Sequence, residues 1–196
     1  TDSNEIKEVV EKHGGRVIMT SSNHQTGTDR IAEAANKIDA EIVVNVQGDE
    51  VLVNPKYIDK VVDELLKNPD INVGILVNPY FKKNSPSDIK VVLNNNNDVL
   101  YASRSDIPSD SRTKNPSMLK AYHIVPFRKP FLLKFTKWEK GILEKIEFNE
   151  YLRILEYGER FRAIRVDSDA ISVDTIDDLE YVREQMQSDL WFPQYK

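Results

Sequence analysis

Val44-Asn45-Val46-Gln47-Gly48-Asp49-Glu50 is the stretch in which an apolar run gives way to polar residues. The preceding Ile42 and Val43 extend the apolar part, and such a β-branched run is typical of a strand buried on both faces. Gly48 allows the backbone to come close to a ligand, and Asp49 brings a carboxylate directly after it. In open α/β sheets, ligands bind beyond the carboxyl ends of the strands. The stretch therefore predicts a central strand whose end points into a site.

Helical and strand patterns alternate on both sides of this strand. Ile31, Ala34, Ala35 and Ile38 mark one helix before it, and Asn54-Pro55 is a good start for the next helix. Further along, Asn94-Asn95-Asn96-Asn97-Asp98 separates two apolar runs and predicts a hairpin. The pattern predicts an α/β fold with a mostly parallel sheet, helices on both faces and one antiparallel hairpin excursion. Without an internal repeat or linker, residues 1–196 are expected to form one domain.

The composition excludes several classes of protein. A formal net charge of -5 argues against a nucleic-acid partner, since such proteins usually carry a basic surplus. Apolar runs stay well short of the roughly 20 residues that span a bilayer, so no membrane partner is expected. The chain has no cysteine, and its first residues do not resemble a secretory signal. We expect a cytoplasmic protein.

Two carboxylates follow apolar segments and are candidates for metal binding. Asp49 follows the strand quoted above, and Asp174 follows Ser172-Val173. Mg²⁺ is usually held by one or two carboxylates together with substrate phosphates. Each residue alone could equally cap a turn or a helix, and Thr175 suits a helix cap. Together, at two strand ends of one sheet, they predict a shared Mg²⁺ site.

The segment from Asn23 to Arg30 is dense in hydrogen-bonding side chains and leads into a helix. Backbone N–H groups at a helix start attract anions, and Gly27 would leave them accessible. The alternative is a helix capped by a threonine, with Arg30 solvated. The density of donors favours a ligand-binding loop.

Several charged residues later in the chain can be explained by structural roles alone. Residues 142–157 read as one longer helix, on which Glu147, Glu150 and Arg153 would form a ladder of ion pairs at a spacing of three. Arg104 follows the predicted hairpin, where a surface cation is the ordinary interpretation.

Taken in order, these segments resemble the 3-deoxy-manno-octulosonate cytidylyltransferase family, also called the CMP-KDO synthetases. The resemblance is carried by His24-Gln25-Thr26-Gly27-Thr28-Asp29-Arg30 and by the stretch quoted first. Shorter matches are Ile89-Lys90-Val91-Val92, Tyr101-Ala102-Ser103-Arg104, Leu152-Arg153 and Val173-Asp174-Thr175. The likeness runs from the first residue to about Glu184.

The resemblance implies a Rossmann-like nucleotidyltransferase fold, usually dimeric, and an enzyme of cell-surface polysaccharide synthesis. Its reaction joins CTP and a sugar-acid hydroxyl to give a CMP-sugar and pyrophosphate. Asp49 and Asp174 would hold the Mg²⁺ cofactor, and with Arg30 they form the candidate catalytic set. The candidate substrate-binding residues are His24, Gln25, Thr26, Gly27, Thr28, Gln47, Arg104, His123, Glu147, Glu150 and Tyr151. CTP, an acidic sugar and a second copy of the chain are the implied partners.

The chain departs from the family pattern in two places. The family begins with a strand and an Arg- and Lys-bearing triphosphate loop, whereas this chain starts at Thr1-Asp2. We expect that the sequence is a fragment, because losing a central strand would uncover buried backbone groups.

The second departure concerns the sugar side. Ala121 and Val125 stand where the family has a histidine and a tyrosine, and Tyr151 replaces a glutamine. His123 should share the face of Ala121 and substitute in part. These changes leave open a different acid as acceptor, such as an amino-sugar acid or a phosphonate, or a non-catalytic nucleotide-binding homologue. A dinucleotide-binding dehydrogenase is disfavoured because no strand is followed by G-x-G-x-x-G.

Overall fold

The computed structural model describes residues 1–114, 116–168 and 172–195. Its strands are β1 (Ile42–Val46), β2 (Gly74–Tyr80), β3 (Lys90–Leu93), β4 (Val99–Ser103), β5 (Met118–Tyr122), β6 (Ile124–Arg128) and β7 (Arg162–Arg165). The helices are α1 (Asn4–Lys12), α2 (Gly27–Asn36), α3 (Pro55–Lys67), α4 (Lys129–Phe135), α5 (Ile142–Glu147), α6 (Leu152–Glu156) and α7 (Ile176–Gln187), with a 3-10 helix at Phe192–Tyr195.

One extended segment, formed by β5 and β6 with His123 between them, organises the sheet. β5 pairs antiparallel with β2 on one side and with β3 on the other. β6 pairs antiparallel with β1, in the register Val46 opposite Ile124. β7 lies beyond β2 and runs parallel to it. β1, β2 and β7 consequently point in one direction, and the β5–β6 segment runs against them.

The predicted α/β class is confirmed, as is the antiparallel hairpin, which consists of β3 and β4. The directions are more mixed than predicted. Among the strand pairs in the described part of the chain, only β2 with β7 is parallel. The reason is that the β5–β6 segment inserts between β1 and β2, so these parallel strands do not bond to each other.

Apolar side chains alternate between two cores, one on each face of the sheet. Ile75 and Val77 of β2 face the larger core, which α2, α4 and α6 cover. Leu76, between them, faces the smaller core, where Val61 of α3 packs against it. The prediction of helices on both faces is therefore confirmed.

The single helix predicted over residues 142–157 is wrong. It divides into α5 and α6, and Phe148 between them has a left-handed φ of 49°. The break abolishes the helical spacing of three on which the predicted ladder of ion pairs depended. Arg153 instead pairs with the buried Glu144, with a distance of 2.6 Å between Nη2 and Oε1. Glu147 and Glu150 turn to other partners, which lie around the site.

Candidate active site

A cavity opens at His123, where the β5–β6 segment stops pairing with β3 and begins to pair with β1. β1 ends at Val46 beside Ile124, and β3 begins at Lys90 beside Lys120, both on the side away from β2. The edge around His123 is left uncovered between them. The cavity there has a volume of about 230 Å³. It is lined by Gln47, Asp49, Ser87, Ile89, Arg104, His123, Phe148, Asn149, Glu150 and Tyr151.

Two stacked rings form one wall of this cavity. The imidazole of His123 and the phenol of Tyr151 lie 6.2 Å apart between centroids, with 27° between their planes. Desolvation lowers the pKa of His123 to about 4, so the imidazole is neutral near pH 7. It can exchange hydrogen bonds with a ligand there but brings no positive charge. His123 lines this cavity, and the alternation of Ala121 and Val125 with Tyr122 and Ile124 between the two cores places it on the face of Ala121. Its role towards a ligand stays a prediction.

Buried polar side chains join the elements beneath the cavity. The Asn45 amide donates to the Tyr151 hydroxyl at 3.0 Å, and the Gln47 amide donates to Asn45 Oδ1 at 3.4 Å. The Thr28 hydroxyl donates to Glu150 Oε1 at 2.7 Å. These bonds fix β1, the start of α2 and the start of α6 relative to one another. Sequence reasoning missed Asn45, although a buried amide inside an otherwise apolar strand was a signal.

Glu150 lies between this cavity and a second one of about 450 Å³. The second cavity is lined by Gln25, Thr26, Lys140, Glu144, Lys145, Phe148, Asn149 and Glu150. Burial raises the pKa of Glu150, against the opposing hydrogen bond from Thr28. Its Oε2 atom is buried and has no hydrogen-bond partner within the described residues. Glu150 is therefore poised to meet a polar ligand group.

The two candidate metal ligands are brought together by the backbone. The Val173 amide donates to the Asp49 carbonyl at 3.0 Å, which sets Asp174 next to the end of β1. The helix cap is provided by Thr175 and Asp178, not by Asp174. From the residues that the structure describes, neither the Asp49 nor the Asp174 carboxylate receives a hydrogen bond. Both remain available as oxygen ligands, which fits a hard divalent cation.

A cation here would need ligands beyond the protein. Within residues 1–114, 116–168 and 172–195, three or more His, Cys, Asp or Glu side chains do not gather into a metal-binding group. Two carboxylates completed by substrate oxygens match the usual coordination of Mg²⁺.

Part of the segment from His24 to Arg30 serves the structure of α2. Thr26 and Asp29 form a reciprocal capping box, and Gly27 is the first helical residue. His24 Nε2 lies 2.6 Å from Glu33, and the Arg30 guanidinium donates to Thr20 at 2.7 Å. His24 and Arg30 therefore do not line the cavity beside Asp49. Of this segment, Gln25 and Thr26 reach the second cavity and Thr28 lies beneath the first.

Arg104 lines the cavity, but its guanidinium is occupied by backbone carbonyls. It donates to the carbonyls of Glu147 at 2.8 Å and Pro86 at 2.8 Å, so it ties two sides of the rim together. Glu147 accepts hydrogen bonds from Ser103 at 2.7 Å and from the Arg104 backbone at 2.9 Å. Burial would raise the pKa of Glu147, but these bonds outweigh it and lower the pKa. Glu147 thus supports Arg104 instead of lining the cavity.

Comparison with known proteins decides the family. Residues 1–161 match the family model described as cytidylyltransferase. A 3-deoxy-manno-octulosonate cytidylyltransferase from Syntrophus aciditrophicus is 39% identical over 191 residues, which cover 94% of this chain and 77% of the relative. The chain belongs to the 3-deoxy-manno-octulosonate cytidylyltransferase family. Another relative of the same name, from Geobacter sulfurreducens, is 39% identical and covers 95% of this chain and 80% of its own length.

Solved structures agree with this membership of the cytidylyltransferases. A CMP:2-keto-3-deoxy-manno-octonic acid synthetase complexed with CTP superposes with a TM-score of 0.92 at 32% identity, covering 97% of this chain and 80% of that one. A cytidylyltransferase from Leptospira borgpetersenii, at 21% identity and a TM-score of 0.60, shares the fold.

Within this cytidylyltransferase, two of the three replaced positions on the sugar side, Ala121 and Val125, belong to the core. Ala121 is 1% exposed and Val125 is fully buried, and both pack in the larger core. Neither lines the two cavities described above. The side chains that meet the cavity at this point are His123 and Tyr151.

Proposed function

We propose that this chain transfers the cytidylyl group of CTP to 3-deoxy-manno-octulosonate, as a step in cell-surface polysaccharide synthesis. The observation that carries the proposal is the superposition on the synthetase complexed with CTP, at a TM-score of 0.92 over 97% of the chain. In this reaction a sugar hydroxyl oxygen attacks the α-phosphorus of CTP and forms a P–O bond. The bond between the α-phosphorus and the α,β-bridging oxygen breaks, pyrophosphate leaves and the hydroxyl proton is lost.

We propose that Asp49 and Asp174 hold Mg²⁺ in this site. Their support is the hydrogen bond between the Val173 amide and the Asp49 carbonyl, together with two carboxylates that the described residues leave without hydrogen-bond donors. The chemistry that bound Mg²⁺ supplies is neutralisation of negative charge on the phosphate oxygens. By holding the ion, the two aspartates would help to align the phosphates, and in-line alignment is the main requirement of such transfers.

For the acceptor, we propose the cavity beside His123. Neutral His123 and the Tyr151 ring would pack against the sugar, and the Gln47 amide and Glu150 would exchange hydrogen bonds with its hydroxyls. Arg104 would serve by keeping the rim closed, since backbone carbonyls hold its guanidinium. Thr28 contributes through its hydrogen bond to Glu150.

The test is pyrophosphate release by the purified full-length protein with CTP, MgCl₂ and 3-deoxy-manno-octulosonate. We expect release that depends on both substrates, and a loss of at least about a hundredfold in Asp49→Asn and in Asp174→Asn, because each removes a charged ligand of the Mg²⁺ that neutralises the phosphates. Ser188→Ala, at the far end of α7, is the matched control and keeps its activity. The proposal is overturned if no release occurs, or if Asp49→Asn retains full activity.

A second set of assays addresses the acceptor. An amino-sugar acid and a phosphonate are offered in place of the octulosonate, and we expect a lower kcat/KM with each. A higher kcat/KM with either acid than with 3-deoxy-manno-octulosonate would identify that acid as the acceptor.

We further propose that residues 1–196 act as one nucleotidyltransferase domain, in the cytoplasm, as a homodimer. A larger core that joins α2, α4, α6 and the sheet supports the single domain. The family resemblance supports the dimer and the location, and the exposed Ile142 and Ile146 of α5 offer an apolar surface. Light scattering after size-exclusion chromatography measures the oligomeric state, and a mass of about 22.6 kDa would contradict the dimer.

A further inference from the structure

Glu50, the residue after Asp49, is a buried acid that the proposed reaction does not use. It is 4% exposed, at the turn that follows β1. Its Oε1 atom accepts a hydrogen bond from the Ser172 hydroxyl at 2.8 Å. Its Oε2 atom is buried and lacks a hydrogen-bond partner within the described residues. Burying a carboxyl group is costly, so its position here calls for a reason.

The contacts of Glu50 connect two segments of the site. Asp49 precedes it in the chain, and Ser172 bonds to it from the segment that carries Asp174. Glu50 therefore joins the end of β1 to the segment that leads into α7.

A second bond runs beside the Ser172–Glu50 contact. The Val173 amide donates to the Asp49 carbonyl at 3.0 Å. These two neighbouring bonds attach residues 172–173 to residues 49–50, and Asp174 follows immediately. Asp174 itself is exposed, and its amide donates to Oδ2 of Asp178 at 3.2 Å. Its distance from Asp49 is thus set mainly by the paired attachment.

We propose that Glu50 is a positioning residue, which acts through Ser172 to hold Asp174 against Asp49 in the geometry that a shared cation needs. The proposal rests on the function proposed above for the two aspartates. Its reason is that two carboxylates bind one ion well only when their separation is fixed before the ion arrives. Without the bond between Ser172 and Glu50, only the bond from Val173 to Asp49 would hold this exposed segment. One bond would not fix the separation of the two carboxylates.

This proposal differs from two simpler roles for Glu50. If Glu50 were itself a metal ligand, its charge would be essential. If it only filled space in the core, its bond to Ser172 would not matter. Glu50→Gln keeps the size and an oxygen that can accept from Ser172, whereas Ser172→Ala removes the bond and leaves Glu50 in place.

The first experiment measures the attachment directly by amide hydrogen exchange. The Val173 amide should exchange about tenfold faster in Ser172→Ala and in Glu50→Ala than in the wild type, which corresponds to the loss of one net hydrogen bond. Glu50→Gln and Asp49→Asn should leave the rate within about twofold, since both keep the bonded oxygens. The Val166 amide, bonded to the Val77 carbonyl in the core at 2.9 Å, is the internal control and should not change.

The second experiment measures cation binding without turnover. Mn²⁺ is titrated into the protein with CTP present and the sugar acid absent, and free Mn²⁺ is followed by electron paramagnetic resonance. We expect about tenfold weaker binding in Ser172→Ala, a similar loss in Glu50→Ala and near wild-type binding in Glu50→Gln. In steady-state assays the Mg²⁺ concentration for half-maximal activity should rise by the same factor, whereas the KM for the sugar acid should not.

The outcomes separate this inference from the proposed function. Weak Mn²⁺ binding in Glu50→Gln would overturn the positioning role and make Glu50 a ligand. Unchanged Val173 exchange in Ser172→Ala would overturn the attachment, even if Glu50→Ala fails to fold. If the Val173 amide exchanges faster in Ser172→Ala than in the wild type, but the wild type never releases pyrophosphate, the attachment stands and the proposed function fails.

Discussion

At the scale of single residues, Gly48 is a position where a requirement of the fold can be distinguished from a requirement of ligand binding. A Cβ atom built at Gly48 meets no atom of the described residues within 4 Å, and its φ is not in the left-handed region. Neither crowding nor backbone conformation therefore requires a glycine at this position. We interpret it as leaving space beside Asp49 for a phosphate or sugar.

We predict that Gly48→Ala leaves the melting temperature within about 2 °C and lowers kcat/KM for CTP by at least about tenfold, since small backbone displacements at a site are costly. The measurements are thermal unfolding and steady-state kinetics. Ser188→Ala, at the far end of α7, is the control and should keep its activity. Equal activity in wild type and Gly48→Ala would remove the ligand argument for this glycine.

His123 gives the site a pH-dependent stability. Its pKa is lowered to about 4 in the folded protein from the ordinary 6.5, because desolvation disfavours the charged form. A depressed folded pKa means that the contribution of His123 to stability is complete above pH 6.5 and is lost progressively as the pH falls towards 4.

We expect the free energy of unfolding of the wild type to fall more steeply between pH 7 and pH 5 than that of His123→Gln. Urea denaturation at both values measures the difference, and effects of other titrating groups cancel between the two proteins. Parallel pH dependences would contradict the desolvated state of the imidazole.

At the scale of elements, the sequence predicted helices and strands well where the apolar period was regular. Ile42 to Val46 and the helix from Pro55 followed directly from their patterns. The break at Phe148 did not, because a non-glycine residue with positive φ has no reliable signal in sequence. It is held from outside, by the Arg104 guanidinium and by the Glu144–Arg153 pair. The predicted ladder failed for the same reason, and with it the true partners of Glu147 and Glu150 were missed.

The start of α2 yields a prediction for this scale. Thr26→Ala removes the capping hydroxyl that accepts from the Asp29 amide, and should cost about 1 kcal/mol of folding free energy. Thr26→Ser keeps the hydroxyl and should cost less than half as much. Chemical denaturation of the three proteins provides the comparison, and an equal cost for both variants would argue against the capping role.

The buried ion pair between α5 and α6 yields another. Arg153 and Glu144 are 3% and 6% exposed in their side chains, so removing one charge leaves the other buried. We predict that Glu144→Ala destabilises the protein by about 3–5 kcal/mol. The double variant Glu144→Ala with Arg153→Met should recover part of this loss, and an additive result would refute the coupling.

At the scale of the whole molecule, the sequence predicted the fold class and the placement of Asp49 at a strand end. It could not predict which strands become neighbours, since pairing over long separations depends on how complete surfaces fit. The core positions of Ala121 and Val125 illustrate this. The motif comparison suggested sugar contacts, but the antiparallel insertion of their segment buries both side chains.

Nucleotide binding should stabilise the whole molecule. The proposed Mg²⁺-nucleotide site combines Asp49 with Asp174, which only the folded chain brings together, so CTP should bind only the folded chain. At a CTP concentration about a hundred times its Kd, with MgCl₂, we expect about 2.7 kcal/mol of additional stability. Thermal unfolding with and without CTP measures it, with Asp49→Asn as the control that should respond less. An identical response in both proteins would place the nucleotide away from Asp49.

The long-range pairing of the β5–β6 segment also affects the order in which the chain folds during synthesis. β1 finds its partner residues roughly eighty positions later in the chain, and Ser172 reaches Glu50 across 122 positions. Non-local contacts of this kind form late in folding, because the intervening loop must be closed first. The site is therefore completed only after most of the polypeptide has been synthesised and folded. Before residues 172–174 have been synthesised, Asp174 cannot join Asp49 in the proposed nucleotide site. Binding of CTP would therefore indicate that this part of the chain has folded.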